Sequence, residues 1–269
     1  MIEEAIFDRK KHIELINKRI RDLREGYRQN IAILGDELVG KTSIISKFLS
    51  KYCDNHTVIA YLEVRPESIE SFAKRFIGVL LYNFLHNSNI PLKENLDFLL
   101  VKSSSYLPRT TEKAKSILSS FSKRNKNNVV TELFSLCDLL HQETGKFCVV
   151  ILDEFHNLEG FGIKNLYKDW SKLLMLQKTT LYIIISSMKY KARLILSKNL
   201  SLLFGNFEIV NVEPFDIKTS EEYLSHRLKE THLNPSLKNF LVNFTGGYPF
   251  YLSVISQSLS TGQKDLIDI

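Results

Sequence analysis

Cysteine and long hydrophobic runs are both scarce in this chain. Its three cysteines, Cys53, Cys137 and Cys148, show no C-x-x-C spacing and cannot all pair within one chain, which argues against a disulfide framework and a zinc site. The longest apolar runs, at 147–152 and 181–185, are far shorter than the about 18 residues of a membrane span. The amino terminus has neither the basic start nor the apolar stretch of a secretory signal. We therefore expect a cytoplasmic protein with reduced thiols and no membrane insertion.

Composition and charge are those of an ordinary globular protein. Of the 269 residues, 44% are hydrophobic and 25% are charged, which leaves enough apolar material for a core. This length suits one large α/β domain followed by a small helical one. The formal net charge of +6 permits contact with nucleic acid or an acidic partner but does not require it.

The most informative motif lies at 35–42, where the sequence matches G-x-x-x-x-G-K-[ST] at every fixed position. In such a loop the glycines let backbone N–H groups surround a β-phosphate, the lysine reaches the β and γ oxygens, and the hydroxyl ligates Mg²⁺. We therefore predict a nucleoside triphosphate site in which Lys41 is a catalytic residue and Thr42 a metal ligand. The predicted phosphate-binding residues are Gly35, Asp36, Glu37, Leu38, Val39, Gly40, Lys41, Thr42 and Ser43.

The segments on either side of this loop support the prediction. Residues 31–34 are fully apolar, as expected for a buried parallel strand, and apolar residues recur at helical spacing from Ile44 to Leu49. The helix that follows would point its amides and its positive dipole end at the phosphates. Asp36 and Glu37 add two carboxylates to a loop that must hold a polyanion, so they weaken binding unless their side chains face solvent.

Strands and helices alternate through most of the chain, which predicts a parallel sheet with helices on both faces. Past Thr219 only helices are expected, the first of them opened by a Thr219–Glu222 capping box. We place the domain boundary there, giving an α/β domain at 1–215 and a small all-helical lid domain at 216–269. The predicted strands are 31–34, 57–64, 147–152, 181–185 and 207–212.

Residues 87–128 form an irregular, basic stretch that we interpret as an insertion in the α/β domain. Its segment 109–126 carries six basic residues and the single acid Glu112. One hypothesis is a surface for DNA or an acidic partner, and the other is an ordinary solvated helix and loop.

A second motif, which is acidic, supplies the metal-orienting carboxylate and the general base that hydrolysis requires. The apolar strand at 147–152 is followed by Asp153 and Glu154, and the carboxyl ends of parallel strands form the edge where ligands sit in α/β folds. With the phosphate loop on a neighbouring strand, Asp153 would hold the Mg²⁺ shell and Glu154 would act as the general base. The alternative is that the two acids only cap the helix that follows.

With these motifs in place, nearly the whole chain resembles the archaeal-type ATPases of the AAA+ and STAND superclass of P-loop NTPases, relatives of origin-recognition-like initiators. Segment 7–15 is similar to that family's F-x-x-R-x-x-E-[LI] box, which packs beside the adenine, with Arg9 as its arginine and His12 where an acid is usual. Residues 153–158 look like its D-E-F-x-x-L element.

The resemblance extends to two further segments and breaks at a third. It implies that Ser187 senses the γ-phosphate, with Ser186 replacing a glycine, and that Pro249 of Gly246-Gly247-Tyr248-Pro249 lies against the nucleotide. The residues alone leave structural alternatives open. The serines fit a turn that ends a strand equally well, and the Gly-Gly-Tyr-Pro segment fits the end of one helix followed by a proline that starts the next. Asn206 stands where the family commonly has an arginine. Arg193 and Lys189 are candidates to supply the positive charge of that arginine, although no motif supports them.

Taken together, the resemblance implies an ASCE-type P-loop NTPase fold of about five strands followed by a helical lid, with ATP and Mg²⁺ as cofactors. We expect an ATPase that hydrolyses ATP slowly and acts as a nucleotide-driven conformational switch. The alternatives are an AAA+-like ATPase whose main output is DNA binding and an ATP-binding scaffold without hydrolysis. The family usually continues into a winged-helix or other effector domain, so we expect either a minimal protein or a fragment that lacks that domain, with either a separate protein or the missing domain as its partner.

Overall fold

The structure, a computed structural model, describes residues 7, 9–88, 92–121, 128–200, 207–228 and 233–260. The chain divides into two compact units. The sheet unit comprises residues 15–34 and 51–210, and the loop unit comprises residues 1–14, 35–50 and 211–269, each as far as it is described. The domain boundary at residue 216 stays a prediction.

Five strands form one sheet in the order β2-β3-β4-β1-β5, where β1 is Asn30–Leu34, β2 Thr57–Glu63, β3 Phe147–Asp153, β4 Thr180–Ser186 and β5 Phe207–Asn211. The pairs β2–β3, β3–β4 and β1–β4 are parallel. Every residue of β1 and β4 is buried, as expected for strands covered on both faces. The predicted α/β fold is confirmed. Because β4 lies between β1 and β3, however, the loop strand and the acidic strand are not neighbours.

Among the residues that the structure describes, one helix precedes the first strand, and the others lie between and after the strands. They are α1 Lys10–Arg24, α2 Lys41–Lys51, α3 Ile69–His86, α4 Leu96–Ser103, α5 Pro108–Ser120, α6 Val129–Thr144, α7 Leu166–Leu176, α8 Lys189–Lys198, α9 Ile217–Arg227, α10 Pro235–Thr245 and α11 Pro249–Ser260, with a 3-10 helix at Phe155–Phe161. Of these, α4, α5 and α8 were not predicted. None of the helices in the described part of the chain is long and apolar enough to cross a membrane.

The core of the sheet unit is rich in large aromatic side chains. Phe134 of α6 packs against Trp170 of α7 and Tyr182 of β4, with ring centroids 5.2 and 5.4 Å apart. All three residues are fully buried. Aromatic side chains bury a large apolar area and gain further from tilted ring contacts, so this cluster fixes α6 and α7 on the sheet.

The stretch 87–128 contains more regular structure than predicted. It includes α4 and α5, and α5 begins at Pro108, which has the fixed φ that suits a first helical position. Its basic character is also offset by acids from α6. Glu143 accepts the backbone N–H of Arg109 at 2.7 Å, and Glu132 pairs with Lys113 at 3.1 Å. The basic cluster at 123–126 lies outside the described residues.

In the loop unit, α9 to α11 pack around a small apolar core that includes Leu224, Leu241 and Leu252. The predicted capping box at Thr219 is wrong, because α9 begins earlier, at Ile217. Its N-cap is Asp216, whose carboxylate accepts the backbone N–H of Thr219 at 2.7 Å. The side chain of an N-cap residue accepts the backbone N–H of the second or third helical residue, and aspartate does this as well as threonine.

Candidate functional site

The phosphate loop adopts a tightly closed backbone. Leu38 and Gly40 both have positive φ, at 63° and 92°, and a leucine in that region is uncommon outside strained functional turns. A Cβ added to Gly35 would lie 2.4 Å from the carbonyl oxygen of Val212, so only glycine fits at the start of the loop. The sequence motif therefore corresponds to a conformation that other residues could not adopt.

Lys41 lies inside this loop rather than on its surface. It is 6% exposed, and its Nζ donates to the carbonyl oxygen of Asp36 at 2.7 Å. The lysine also begins α2, whose first turn contains no acidic residue, with Thr42 and Ser43 exposed beside it. A buried ammonium at the N-terminus of a helix whose first turn has no acidic residue favours an anion. Glu37 is exposed, as binding of a polyanion requires, whereas Asp36 is only half-buried.

Arg9 ties the loop to the segment that leads into α9. Its Nη2 donates to the carbonyl oxygen of Glu213 at 2.6 Å and to that of Val39 at 3.4 Å, and its guanidinium carbon lies 4.8 Å from the ring centre of Phe215. Phe7 packs against the same ring at 6.3 Å. The residue that was predicted to contact the nucleotide thus holds the backbone around the loop. Its contact with the nucleotide stays a prediction.

The glycine pair before Pro249 has two different structural roles. Gly246 ends α10 in the left-handed conformation, with φ at 57°, which is the helix stop that the sequence allows. Gly247 is constrained further, since a Cβ there would lie 2.0 Å from the carbonyl oxygen of Phe215, and the N–H of Phe215 donates to the oxygen of Gly247 at 2.8 Å. A helix stop alone does not require that contact. Pro249 opens α11, and its approach to the nucleotide stays a prediction.

In the sheet unit, β3, which ends at Asp153 just before Glu154, and β4, which ends just before Ser187, end at one edge. Leu34 of β1 is opposite Ser186 of β4, and Glu63 of β2 is opposite Asp153 of β3. Asp153 is 4% exposed, and its two oxygens are each hydrogen-bonded: Oδ2 accepts the hydroxyl of Tyr61 at 3.1 Å and Oδ1 accepts the N–H of Glu154 at 3.0 Å. These two hydrogen bonds orient the buried carboxylate of Asp153.

Glu154 and Ser187, predicted separately as base and sensor, are in direct contact. Glu154 Oε2 accepts both the N–H and the hydroxyl of Ser187, each at 2.9 Å. Glu154 itself has a left-handed backbone, with φ at 51°, and makes no side-chain cap to the 3-10 helix that follows. The interpretation of this acid as a helix cap is therefore not supported.

Two contributors to the site were missed. Tyr61 faces Asp153 from β2, and His156 Nδ1 lies 2.8 Å from Ser186 Oγ and 3.3 Å from Glu154 Oε2. Burial lowers the pKa of His156, and burial followed by the charge of Asp153 raises that of Tyr61 well above its usual value. The sequence signal that could have found Tyr61 is its position two residues before Glu63, on the same face of the strand. For His156 the only signal is its place within the segment 153–158.

Asn206, which stands where the family commonly has a charge-compensating arginine, lies outside the described residues. Lys189 and Arg193 both belong to α8, where Arg193 is exposed and Lys189 half-buried. Their part in compensating phosphate charge stays a prediction. Among the described residues, no group of three or more histidine, cysteine or acidic side chains forms a metal cage, so a cation here would need oxygen ligands from the nucleotide and from water as well.

Known proteins share this fold and this sequence pattern. The family described as an ATPase domain predominantly from Archaea matches residues 6–255. No protein of curated function matches the chain in sequence. Among solved structures, the Walker-type ATPase of Pyrococcus abyssi has a TM-score of 0.65 at 18% identity, over 97% of this chain and 69% of that one.

Two further structures are similar over almost the whole chain. The ORC1 protein of Aeropyrum pernix, solved in complex with DNA, has a TM-score of 0.57 at 12% identity, over 97% of this chain and 62% of that one. A STAND protein of Pyrococcus horikoshii with a tetratricopeptide repeat sensor has 0.53 at 16%, over 95% and 30%. At these identities the likeness concerns the fold, and this chain spans only part of each relative.

Proposed function

Since the chain belongs to the family of ATPase domains found predominantly in Archaea, and is thus an ATP-binding ATPase, we propose that it is a nucleotide-driven conformational switch with slow, Mg²⁺-dependent turnover. The observation that carries the proposal is the direct contact between Glu154 and Ser187. A base and a γ-phosphate sensor that share a hydrogen bond allow turnover to depend on the state of the nucleotide.

Each predicted residue has a definite task in this proposal. Lys41 and the amides at the start of α2 bind the β- and γ-phosphates. Glu154 orients a water molecule and accepts its proton as the water oxygen bonds to the γ-phosphorus and the bond to the β-phosphate oxygen breaks, which yields ADP and phosphate. When nucleotide binds, the Ser187 hydroxyl would turn from Glu154 to a γ-phosphate oxygen, while the Ser187 N–H stays on Oε2 of Glu154. The Thr42 hydroxyl and the oriented Asp153 carboxylate are hard oxygen donors of the kind that Mg²⁺ accepts, and the ion would neutralise phosphate charge there.

The switch is supported by contacts within the loop unit. Arg9 bonds to both Val39 in the loop and Glu213 before α9, and Gly247 is joined to Phe215 through the backbone. Loss of the γ-phosphate at the loop can therefore be transmitted to α9–α11 through short, backbone-anchored links. Slow turnover is supported by the half-buried acid Asp36 in the loop and by Asn206 in place of an arginine.

Phosphate release by the native protein, Lys41→Ala and Glu154→Gln tests the catalytic part. We expect Lys41→Ala to lose ATP binding and Glu154→Gln to bind ATP but to release phosphate at least about 100-fold more slowly. Equal release by all three proteins would contradict the assignment of both residues. Thermal stabilisation by ATP and Mg²⁺ without any turnover in the native protein would favour the non-hydrolysing scaffold.

A second candidate is an ATPase whose main output is DNA binding. It is supported by the net charge of +6 and by the solved complex of the ORC1 relative with DNA. The ion pair of Glu132 with Lys113 counts against it, because it compensates part of the basic segment. Retention on duplex DNA at about 50 mM salt, lost as salt rises, would support this candidate, and no retention there would exclude it.

A further inference from the structure

The carboxylate of Glu154 is held at one oxygen only. Both donors of Ser187 reach Oε2, and His156 Nδ1 contacts the same oxygen at 3.3 Å. Oε1 accepts no hydrogen bond from any residue that the structure describes. A carboxylate with one oxygen fixed and the other open is oriented in a way that a freely rotating glutamate is not.

His156 is itself rigidly held. Its ring is buried, with a side-chain exposure of 7%, and its Nδ1 lies 2.8 Å from the hydroxyl oxygen of Ser186, which also accepts the N–H of Met188 at 3.1 Å. Ser186 is fully buried at the end of β4. The imidazole is therefore fixed to the sheet, and in the tautomer with its proton on Nδ1 this N–H lies between Ser186 Oγ and Glu154 Oε2, so that it restrains the glutamate in turn.

We infer that His156, anchored on Ser186, is a positioning residue that aims Oε1 of Glu154 at the attacking water. This inference rests on the proposed function and assigns to the histidine no direct contact with the nucleotide. It also explains why a serine takes the place of a glycine at position 186: glycine has no hydroxyl to anchor the ring. The effect of losing His156 should therefore appear in the rate of the chemical step and leave nucleotide binding intact.

His156→Leu and His156→Asn form the matched pair that tests the inference. Leucine fills the space without a polar atom, whereas the amide of asparagine can supply a polar atom near the position of Nδ1. We expect His156→Leu to lower kcat about tenfold with KM for ATP unchanged, and His156→Asn to restore most of the rate. His141→Leu is the control, because that histidine is also partly buried and has Nδ1 3.1 Å from the carbonyl oxygen of Lys146, away from the site. Melting curves establish that each variant is folded.

A double-mutant cycle separates this inference from the proposed function. If His156 acts through Glu154, adding His156→Leu to Glu154→Gln lowers the residual rate no further. Native and Glu154→Gln proteins with the same rate would overturn the proposed function and this inference with it. If Glu154→Gln is slow but His156→Leu has the native kcat, only this inference is overturned. The same holds if His156→Leu raises KM tenfold and leaves kcat unchanged.

Discussion

The phosphate loop and the acidic edge of the sheet are built in different ways. In the loop unit the geometry is fixed by backbone: glycines at 35 and 247 lie against carbonyl oxygens, and Lys41 and Arg9 donate to main-chain oxygens. At the acidic edge the geometry is fixed by side chains, with Tyr61 on Asp153 and Ser187 on Glu154. Backbone geometry is determined by a few consecutive residues, whereas a side-chain network needs partners from several strands.

The comparison predicts that loop-unit variants lose stability or binding and that edge variants lose turnover. The largest effect is expected at Gly247. Gly247→Ala combines a positive φ with a Cβ placed 2.0 Å from a backbone oxygen, which should cost about 3 kcal/mol or more in the free energy of unfolding.

Gly246→Ala is the matched control for this substitution. Its φ is also positive, but its added Cβ would meet only two ring carbons of Tyr248, at 3.7 and 3.9 Å, so we expect a loss of about 1 kcal/mol. Urea denaturation of both variants measures the difference. Equal losses would show that the close backbone approach at Gly247 is unimportant.

A smaller effect is expected at the acidic edge. Tyr61→Phe removes the hydroxyl that orients Oδ2 of Asp153, and it should raise the Mg²⁺ concentration for half-maximal ATP hydrolysis about tenfold. Tyr82→Phe, on α3 with its ring stacked on His86, is the control and should match the native protein. The affinity for ATP at saturating Mg²⁺ should be unchanged in both variants. A lower ATP affinity of Tyr61→Phe under these conditions would argue that Tyr61 acts in nucleotide binding instead.

The smallest effect concerns the start of α9. The N–H of Thr219 lowers the pKa of Asp216 below its usual value. Because the folded pKa is depressed, the cap contributes fully above the unfolded value of about 3.9 and is lost as pH falls through the folded pKa. Asp216→Asn keeps an oxygen acceptor at every pH.

We therefore expect the melting temperatures of the native and Asp216→Asn proteins to be similar at neutral pH. Near pH 2 to 3, below the reference value for an aspartate, the native protein should melt lower than the variant. Thermal scans across this range measure the shift. Parallel curves would mean that the Asp216 carboxylate does not cap the helix.

Sequence alone predicted the backbone part of the site well. The motif at 35–42 and the apolar runs at 31–34 and 147–152 led to the loop, the strands and the sheet edge, because each is set by residues close together in the chain. The helices α4 and α5 were missed because the whole stretch 87–128 was interpreted as irregular, although Pro108 suits a first helical position. The side-chain partners were missed for a different reason. Tyr61 and Asp153 are 92 positions apart, and no local pattern specifies which side chains meet across strands.

The most direct test of the account is the identity of the bound nucleotide. Native and Glu154→Gln proteins are incubated with ATP and Mg²⁺, freed of unbound nucleotide by gel filtration, and their contents separated by anion-exchange chromatography. We predict ADP on the native protein and ATP on the Glu154→Gln protein, each close to one per chain. ATP on both proteins would contradict hydrolysis at Glu154, and no nucleotide on either would contradict the phosphate site itself.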